Sequence, residues 1–456
     1  MPTIHSTDTI CALSTAIGGA LGILRVSGPD TFSIVSSISS ICCDKVQPST
    51  VHYTHIVDAN GETIDEAMVS VFKSPHSYTG EDCVEISCHG SRYILNKVLE
   101  LLVRQGCRMA EPGEFTKRAY LNGKMDLSQA EAVADLIAST NKATHHMAMS
   151  QLRGYFSTQL MQLRDQLLQL TSLLELELDF SDHEDLEFAD RTELLRLAFT
   201  IDQCITSLAN SFQTGQALKK GIPVAIVGKT NVGKSTLLNK LLGDDRAIVS
   251  DIHGTTRDTI EDTIDINGVT FRFIDTAGIR QTSDAIEQIG IDRTYQAIDR
   301  AKIVLWIIDM LPSIEEQQDI ADRCKGKDLI VIANKSDKGT TMDEDSIAIP
   351  HSSFMQLSAK YGTNINILND AIYKVADIPE ISENDIIVTN IRHYQSLLRA
   401  HEDLMRVITG LQDQLPGDLL AEDLHMVLST LADITGGQIT PQETLNNIFS
   451  HFCVGK

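Results

Sequence analysis

The chain has 456 residues, 42% of them hydrophobic and 22% charged, and its net charge at pH 7 is −24. These values indicate a globular protein of about two to four domains, and no apolar run approaches the ~20 residues that span a membrane. The polar start of the chain is unlike a secretory signal, and nine cysteines without a C-x-x-C pair favour a cytoplasmic protein over a disulfide or zinc framework. The excess of acidic residues argues against broad nonspecific nucleic-acid binding, which depends on Lys and Arg.

The first part of the chain mixes strand-like and helix-like patterns, which predicts an α/β domain over residues 1–120. Apolar, β-branched runs and one period-2 alternation indicate strands, and one segment has the apolar spacing of a helix. The expected strands lie at 20–26, 68–72 and 84–88, and the expected helix at 91–105.

Helical patterning covers residues 121–216 and returns over residues 379–456. Asp126 or Ser128 is expected near the N-terminus of the first of these helices, where a short polar side chain caps the backbone. Residues 217–378 read as a different domain. The sequence therefore predicts a helical domain that is split by an insertion, an arrangement that is easy where two chain ends lie close together.

The stretch GKTNVGKSTLLNK, residues 228–240, organises the inserted domain. It contains G-x-x-x-x-G-K-S between an apolar run at 222–227 and a helix-forming run at 236–242. Strand, glycine loop and helix form the context in which this motif binds phosphates, because backbone N–H groups and the helix N-terminus face the anion. Lys234 is expected to reach the β- and γ-phosphates, and Ser235 to bind Mg²⁺.

Two loop motifs follow, GTTRD at 254–258 and DTAG at 275–278. Thr256 is expected to complete the Mg²⁺ shell, and Asp275 to hold a water bound to the metal. Gly278 allows its own amide to approach the γ-phosphate. The segment between the two motifs alternates about an Asn-Gly pair, which predicts a hairpin.

The motif NKSD, residues 334–337, identifies the base. A carboxylate at Asp337 can accept two N–H groups from guanine, and adenine lacks that pair of donors. Lys335 is expected to pack over the base, and the motif SAK, residues 358–360, to offer a backbone N–H to the guanine carbonyl. The residues predicted to bind GTP are Gly228, Asn231, Val232, Gly233, Lys234, Ser235, Thr236, Ser250, Thr255, Thr256, Asp275, Gly278, Asn334, Lys335, Asp337, Ser358 and Ala359.

Two departures from the small-GTPase pattern bear on mechanism. Ile279 stands after DTAG, where many such proteins have a glutamine that orients water, so either hydrolysis is negligible or another residue such as Glu287 supplies that role. The spacing of Glu287 alone also fits an exposed helix glutamate.

The second departure is Asn231, which, with backbone oxygens of 250–255, could hold a monovalent cation such as K⁺ beside the phosphates. The alternative is that Asn231 caps its own loop.

Segments outside the nucleotide motifs are equally distinctive: GILRVSG at 22–28, SYTGEDCVEISCHG at 77–90, EPGEFTKRAYLNGKMDL at 111–127 and the terminal C-x-G-K at 453–456. With these segments, the chain resembles the MnmE (TrmE) family of tRNA-modification GTPases over its whole length. The resemblance implies a Ras-like P-loop GTPase domain, inserted in a helical domain and preceded by an α/β tetrahydrofolate-binding domain.

The resemblance also implies roles for residues. Glu287 matches the catalytic glutamate. Metal ligands are implied at Ser235 and Thr256 for Mg²⁺ and at Asn231, Ser250, Ile252 and Thr255 for K⁺. Contacts to a tetrahydrofolate derivative, 5-formyl or 5,10-methylene, are implied at Arg25, Glu81, Lys124 and Lys456.

Family members form homodimers through the N-terminal domain and work with the FAD protein MnmG (GidA) as a heterotetramer. Together they modify C5 of the tRNA wobble uridine with a one-carbon unit thought to come from folate. The resemblance makes Cys453 a candidate nucleophile, and Lys456 could lower its pKa. A structural thiol is the alternative. The negative net charge suggests that the partner carries most tRNA affinity, with Lys117, Arg118 and Lys124 as a small basic edge.

Two other functions stay open at this stage. One is a GTP-dependent switch or ribosome assembly factor without modification chemistry. The other is a folate-dependent aminomethyltransferase with a regulatory GTPase domain, which would turn over without a flavin partner.

Overall fold

The computed structural model describes residues 8–179, 191–243, 262–274, 295–339, 342–379, 382, 385–437, 442–450, 452–453 and 455. The chain divides into two compact units: unit 1, Met1–Ala138, Ala148–Thr206 and Gln395–Lys456, and unit 2, Ser139–Met147 and Ser207–Tyr394. The predicted domain boundaries at 120/121, 216/217 and 378/379 stay predictions.

Unit 1 contains a six-stranded sheet in the order β3-β4-β5-β2-β1-β6. All neighbouring strands are antiparallel except β1 and β6. Apolar side chains from one sheet face and from two helices, α1 and α2, form its core. The strands are β1 (Ile10–Leu13), β2 (Leu21–Ser27), β3 (Thr50–Val57), β4 (Thr63–Phe72), β5 (Cys83–His89) and β6 (Arg108–Met109), and the helices α1 (Thr31–Ile38) and α2 (Arg92–Arg104).

These elements confirm the predicted strands and helix of the N-terminal region. The alternation at 84–88 arises because β5 buries Val84, Ile86 and Cys88 against the helices while Glu85 and Ser87 face the other side.

The remaining described residues of unit 1 are mainly helical. The predicted cap is present, because Asp126 Oδ1 accepts a hydrogen bond from the Gln129 amide at 2.8 Å. Helices α3, α4 and α13 share an apolar cluster that includes Leu127, Phe449 and Phe452. The elements that lie wholly or partly in this unit are α3 (Glu114–Leu121), α4 (Leu127–Ala138), α5 (Lys142–Leu152), α6 (Tyr155–Asp179), α7 (Arg191–Lys220), α11 (Ile391–Gln412), α12 (Gly417–Thr435) and α13 (Gln442–Ser450).

Unit 2 contains the second six-stranded sheet, in the order β12-β11-β10-β7-β9-β8. Its strands are parallel except for β8, which forms an antiparallel hairpin with β9. Two apolar clusters cover the two faces. The elements are β7 (Ile222–Val227), α8 (Lys234–Leu242), β8 (Asp262–Ile266), β9 (Val269–Phe273), β10 (Ile303–Ile308), α9 (Ile314–Arg323), β11 (Asp328–Ala333), β12 (Ser353–Gln356) and α10 (Ile365–Val375).

The hairpin predicted from Asn267-Gly268 is confirmed, and both residues have positive φ, +53° and +81°. The parallel strands β7, β10 and β11 end at one edge of the sheet, so the loops that follow them meet there. Among the described helices, none combines the length and the apolar character that a membrane crossing requires.

Candidate functional site

The glycine loop between β7 and α8 lies directly against β10. Gly228 has φ +147, and a Cβ on it would stand 2.3 Å from the Ile307 carbonyl oxygen. Gly233, with φ +102, ends the loop immediately before Lys234 begins α8. A side chain at Gly228 would collide with the Ile307 carbonyl and one at Gly233 with the Asn334 side chain, so either would displace the loop whose backbone N–H groups could face an anion. The loop therefore has the geometry of a phosphate cradle.

Lys234 is folded over this loop. Its Nζ donates to the carbonyl oxygens of Gly228 at 2.5 Å and Lys229 at 2.6 Å. Burial lowers the pKa of its ammonium group. Ser235 and Thr236 follow in the first turn of α8, where backbone N–H groups have no partner within the helix. An ammonium above such a helix terminus can bind the terminal phosphates of a nucleotide.

Asn334, the first residue of NKSD, connects two loops of the site. Its buried side-chain amide donates to the Val232 carbonyl oxygen at 2.7 Å, and its Oδ1 accepts from the Ala359 amide at 3.0 Å. The asparagine thereby holds the phosphate loop and the SAK loop, separated by more than a hundred residues, at a fixed spacing. This accounts for the need for an amide here, since one side chain must both donate and accept.

Lys335 adopts a left-handed backbone, φ +68, and reaches across to the phosphate loop. Its Nζ donates to the Asn231 carbonyl oxygen at 2.7 Å and pairs with Asp309 Oδ2 at 2.6 Å. Asp309 is not among the residues predicted from the sequence. The signal that could have found it is a carboxylate directly after the buried strand β10, at the same sheet edge as NKSD.

Asp337 is exposed at this edge. Its Oδ1 accepts a hydrogen bond from the buried Ser358 hydroxyl at 2.6 Å, and chiefly this bond holds the pKa of the carboxyl below its ordinary value. The group is thus ionised at neutral pH, the state in which it can accept two N–H groups of a guanine ring. The contact also brings NKSD and SAK, the two motifs predicted to contact guanine, next to each other.

The described residues provide one wall of the predicted site. Asn231, Ser235, Asn334, Lys335 and Asp337 are described, and Ser235 in the first turn of α8 could bind a Mg²⁺ that accompanies a nucleotide. The predicted residues Ser250, Ile252, Thr255, Thr256, Asp275, Gly278 and Glu287 lie outside the described residues.

A second polar cluster lies on the N-terminal sheet around Arg25. Its Nε and Nη2 donate to Glu85 Oε1 at 2.9 and 2.8 Å across the β2–β5 pair. The guanidinium carbon lies 5.1 Å from the Tyr78 ring centroid and 5.5 Å from that of Phe115. Phe115 is fully buried, so of the two rings only the half-buried Tyr78 could contact a ring-containing ligand that carries a carboxylate, as the predicted folate does.

Glu81 belongs to a buried ion cluster next to this site. It accepts from Ser27 Oγ at 2.8 Å and pairs with Arg118 at 3.2 Å. Arg118 also pairs with Asp8 at 2.9 Å and Glu114 at 3.1 Å. The expectation that Arg118 forms part of an exposed basic edge is therefore wrong: only 4% of the residue is exposed, because three carboxylates surround its guanidinium.

The two lysines of that predicted edge are also engaged with the protein. Lys117 Nζ donates to Asn446 Oδ1 at 2.8 Å, and Lys124 Nζ donates to the Pro75 carbonyl oxygen at 2.9 Å. Lys124 thus lies against the loop that precedes Glu81, consistent with a shared site. Lys456, the fourth predicted folate contact, lies outside the described residues.

The end of the chain approaches the same sheet. Cys453 is exposed, and its carbonyl oxygen accepts from the Gly113 amide at 3.4 Å. Gly455 lies close enough to Arg25 for Nη1 to reach its carbonyl oxygen at 3.4 Å. All nine cysteines are described and none is paired in a disulfide. The structure therefore brings Cys453, Arg25 and the Glu81 cluster into one region of unit 1.

Comparison with known proteins links this architecture to one family. The family described as "GTP-binding protein TrmE N-terminus" matches residues 9–124, and the "MnmE helical domain" matches residues 127–453. The chain is 53% identical to the tRNA modification GTPase MnmE of Parabacteroides distasonis, over 98% of this chain and all of that protein. It is 51% identical to the protein of the same name from Phocaeicola vulgatus, over 98% of this chain and 99% of that one.

Among solved structures, the chain is similar to a GTP-binding protein from Sulfolobus solfataricus in complex with GDP. The identity is 20%, the alignment covers 47% of this chain and 66% of that one, and the TM-score is 0.26. The family assignment rests on the sequence relatives.

Proposed function

The chain belongs to the MnmE family of tRNA modification GTPases, and we propose that it is a K⁺-activated GTPase that modifies C5 of the tRNA wobble uridine together with MnmG. The observation that carries GTP recognition is the network around Asn334 and Asp337, which joins the phosphate loop, NKSD and SAK. In this proposal GTP hydrolysis drives opening and closing of the modifying complex.

The proposed hydrolytic site includes Asn231 and Ser235, which the structure describes, and further residues outside the described part of the chain. Mg²⁺ is bound through Ser235 and Thr256, and K⁺ through Asn231 with Ser250, Ile252 and Thr255. A cation beside the phosphates stabilises charge that develops during transfer of the γ-phosphoryl group. Glu287 takes the water-orienting role that Ile279 cannot fill.

The proposed one-carbon site is the cluster of Arg25, Glu81 and Lys124, completed by Lys456. Its support is the combination of fixed charges with the half-buried ring of Tyr78 beside Arg25. A tetrahydrofolate derivative, when bound, supplies a one-carbon unit. Cys453 is the proposed nucleophile, and its support is an exposed thiol on the segment that approaches Arg25.

The proposed assembly is a homodimer that joins two copies of MnmG in a heterotetramer, with FAD held by the partner. A cytoplasmic location accompanies this proposal, since the nine free thiols suit a reducing compartment.

Mass spectrometry of tRNA nucleosides from a strain that lacks the gene tests the modification chemistry. We expect loss of the carboxymethylaminomethyl-type wobble uridine and its return on complementation. Intact wobble uridine together with defective ribosome profiles would instead support the ribosome assembly factor.

Steady-state hydrolysis by the purified chain tests the GTPase proposal. We expect a lower rate when Na⁺ replaces K⁺, and a Glu287→Ala variant that retains GTP binding but loses hydrolysis. Equal rates in the two salts would refute the K⁺ site, and unchanged turnover by the variant would refute the role of Glu287.

A further inference from the structure

The terminal segment, in which Phe452, Cys453 and Gly455 are described, packs closely against the N-terminal sheet through the backbone of Gly455. Gly455 has φ +96, and a Cβ on it would stand 2.4 Å from the Leu13 carbonyl oxygen and 2.9 Å from the Ser14 Cα. The Ser14 hydroxyl donates to the Gly455 carbonyl oxygen at 3.2 Å. Only a glycine fits this contact without displacement of the end of β1, so the position of the segment is specific.

The same carbonyl oxygen is the target of Arg25 Nη1, at 3.4 Å. A guanidinium is planar, so fixing two of its N–H directions fixes the others. Glu85 fixes two of them, through Nε and Nη2, and the rings of Tyr78 and Phe115 restrict the group from its faces. The direction of Nη1 toward Gly455 is therefore set by a carboxylate on the neighbouring strand β5.

We propose that Glu85 is a positioning residue, which acts through Arg25 to hold the terminal segment, and with it Cys453, at the N-terminal sheet. The Arg25–Glu85 pair is bidentate at the arginine and largely shielded from water, with side-chain exposures of 14% and 27%. Such pairs keep their geometry better than exposed ones. Ser14 provides the second donor to the same carbonyl oxygen.

This inference concerns the position of the segment and not its chemistry. It holds whether or not Cys453 is a nucleophile and whether or not folate binds near Arg25. Its test therefore measures local protection of the terminal segment, which failure of the proposed one-carbon site would leave unchanged.

Hydrogen exchange of the full chain, followed by mass spectrometry of the peptide that covers residues 450–456, measures how often the segment detaches. In Glu85→Ala we expect exchange about two- to tenfold faster, the effect of losing the fixed donor to one carbonyl oxygen. Glu85→Gln keeps the side-chain shape but loses the charge, so it should increase the exchange rate less than Glu85→Ala does. Glu85→Asp keeps the charge and should also retain part of the protection that Glu85→Ala loses. The matched control is Glu66→Ala, an exposed carboxylate on the neighbouring strand β4, which should leave the segment unchanged.

A double-mutant cycle separates positioning from general destabilisation. Gly455→Ala should by itself detach the segment and speed its hydrogen exchange. Adding Glu85→Ala should then give no further increase in the exchange rate, because Glu85 acts only through the Gly455 carbonyl oxygen. Independent, additive increases would overturn the proposal. So would unchanged exchange in Glu85→Ala with an unchanged melting temperature. If Glu85→Ala fails to fold, Glu85→Gln and Ser14→Ala decide by the same measurement, and unchanged exchange in both overturns it.

Discussion

Gly233 and Asn334 meet at van der Waals distance across the nucleotide site, and a Cβ on Gly233 would stand 2.3 Å from the side-chain nitrogen of Asn334. The same nitrogen donates to the carbonyl oxygen of Val232, one residue earlier. The phosphate loop is thus closed against the base-reading motif at a point where only glycine fits. The phosphate loop and the NKSD motif, which are predicted to bind the phosphates and the base, therefore pack directly against each other.

Gly233→Ala is expected to weaken GTP binding at least about tenfold, equal to about 1.4 kcal/mol. The substitution imposes a positive φ on alanine and drives its methyl group into Asn334, so the loop must shift away from the phosphates. Calorimetric titration with GTP and Mg²⁺ measures the effect. Gly437→Ala is the matched control, because a Cβ at this position would stand 3.6 Å from its nearest neighbour, the Ala432 Cβ, and this variant should bind GTP normally. Undiminished affinity in Gly233→Ala would contradict the closed loop.

Asp337→Asn is expected to exchange guanine preference for xanthine preference. Xanthine has a carbonyl oxygen where guanine has its exocyclic amine. The Asp337 carboxylate would face this oxygen as one acceptor against another, whereas the amide N–H of an asparagine can donate to it. Competition binding of GTP and XTP measures the ratio, which we expect to change by about a hundredfold or more, the size of effects when a site loses its hydrogen-bonding partner. Ser358→Ala, which removes only the hydroxyl that supports Asp337, should weaken GTP modestly and leave the preference for guanine. Retained guanine selectivity in Asp337→Asn would count against base reading by this residue.

The ion cluster around Arg118 is expected to make stability fall in acid. Burial alone would raise the pKa of Glu114, but bonds from Arg108, the Glu111 amide and Arg118 outweigh it and hold that pKa below its ordinary value of 4.5. A carboxyl whose folded pKa is depressed stabilises the protein above its unfolded pKa and loses that contribution as pH falls through the folded pKa. Glu114→Gln should therefore lower the free energy of unfolding by about 1–3 kcal/mol at pH 7, and the difference should shrink toward pH 3.

Urea unfolding between pH 7 and pH 3 measures this difference. Glu422→Gln, an exposed carboxylate on α12, serves as the control and should track the unsubstituted chain at every pH. A Glu114→Gln deficit that stays constant as the pH falls would show that the carboxylate charge does not contribute.

The chain by itself is expected to bind tRNA weakly at physiological salt, and much more tightly together with the proposed partner MnmG. Its net charge is −24, and the buried position of Arg118 removes one cation from the basic edge that the sequence suggested. Filter binding at several salt concentrations measures both affinities, and the slope against salt counts the phosphates contacted. Tight binding by the chain alone, at physiological salt, would overturn this expectation.

Much of the nucleotide site was predictable because its motifs are local. A glycine loop between a strand and a helix, and an asparagine-glycine pair between two alternating runs, impose their conformations within a few residues. The described residues of NKSD and SAK contact each other, since both motifs follow strands that end at one sheet edge. The role of Asp309 escaped because one carboxylate after a strand carries no distinctive pattern.

The sequence by itself determined the fold class, the phosphate loop and the positions of the NKSD and SAK motifs, because each depends on backbone preferences and side-chain chemistry that act over short stretches. Only the tertiary structure decided that Arg118 is buried among carboxylates, that Arg25 donates to Glu85, and that the Ser14 hydroxyl donates to the Gly455 carbonyl oxygen. Ser14 and Gly455 are 441 positions apart. Contacts of that separation depend on strand order and on which surfaces pack together, and no short-range preference encodes them.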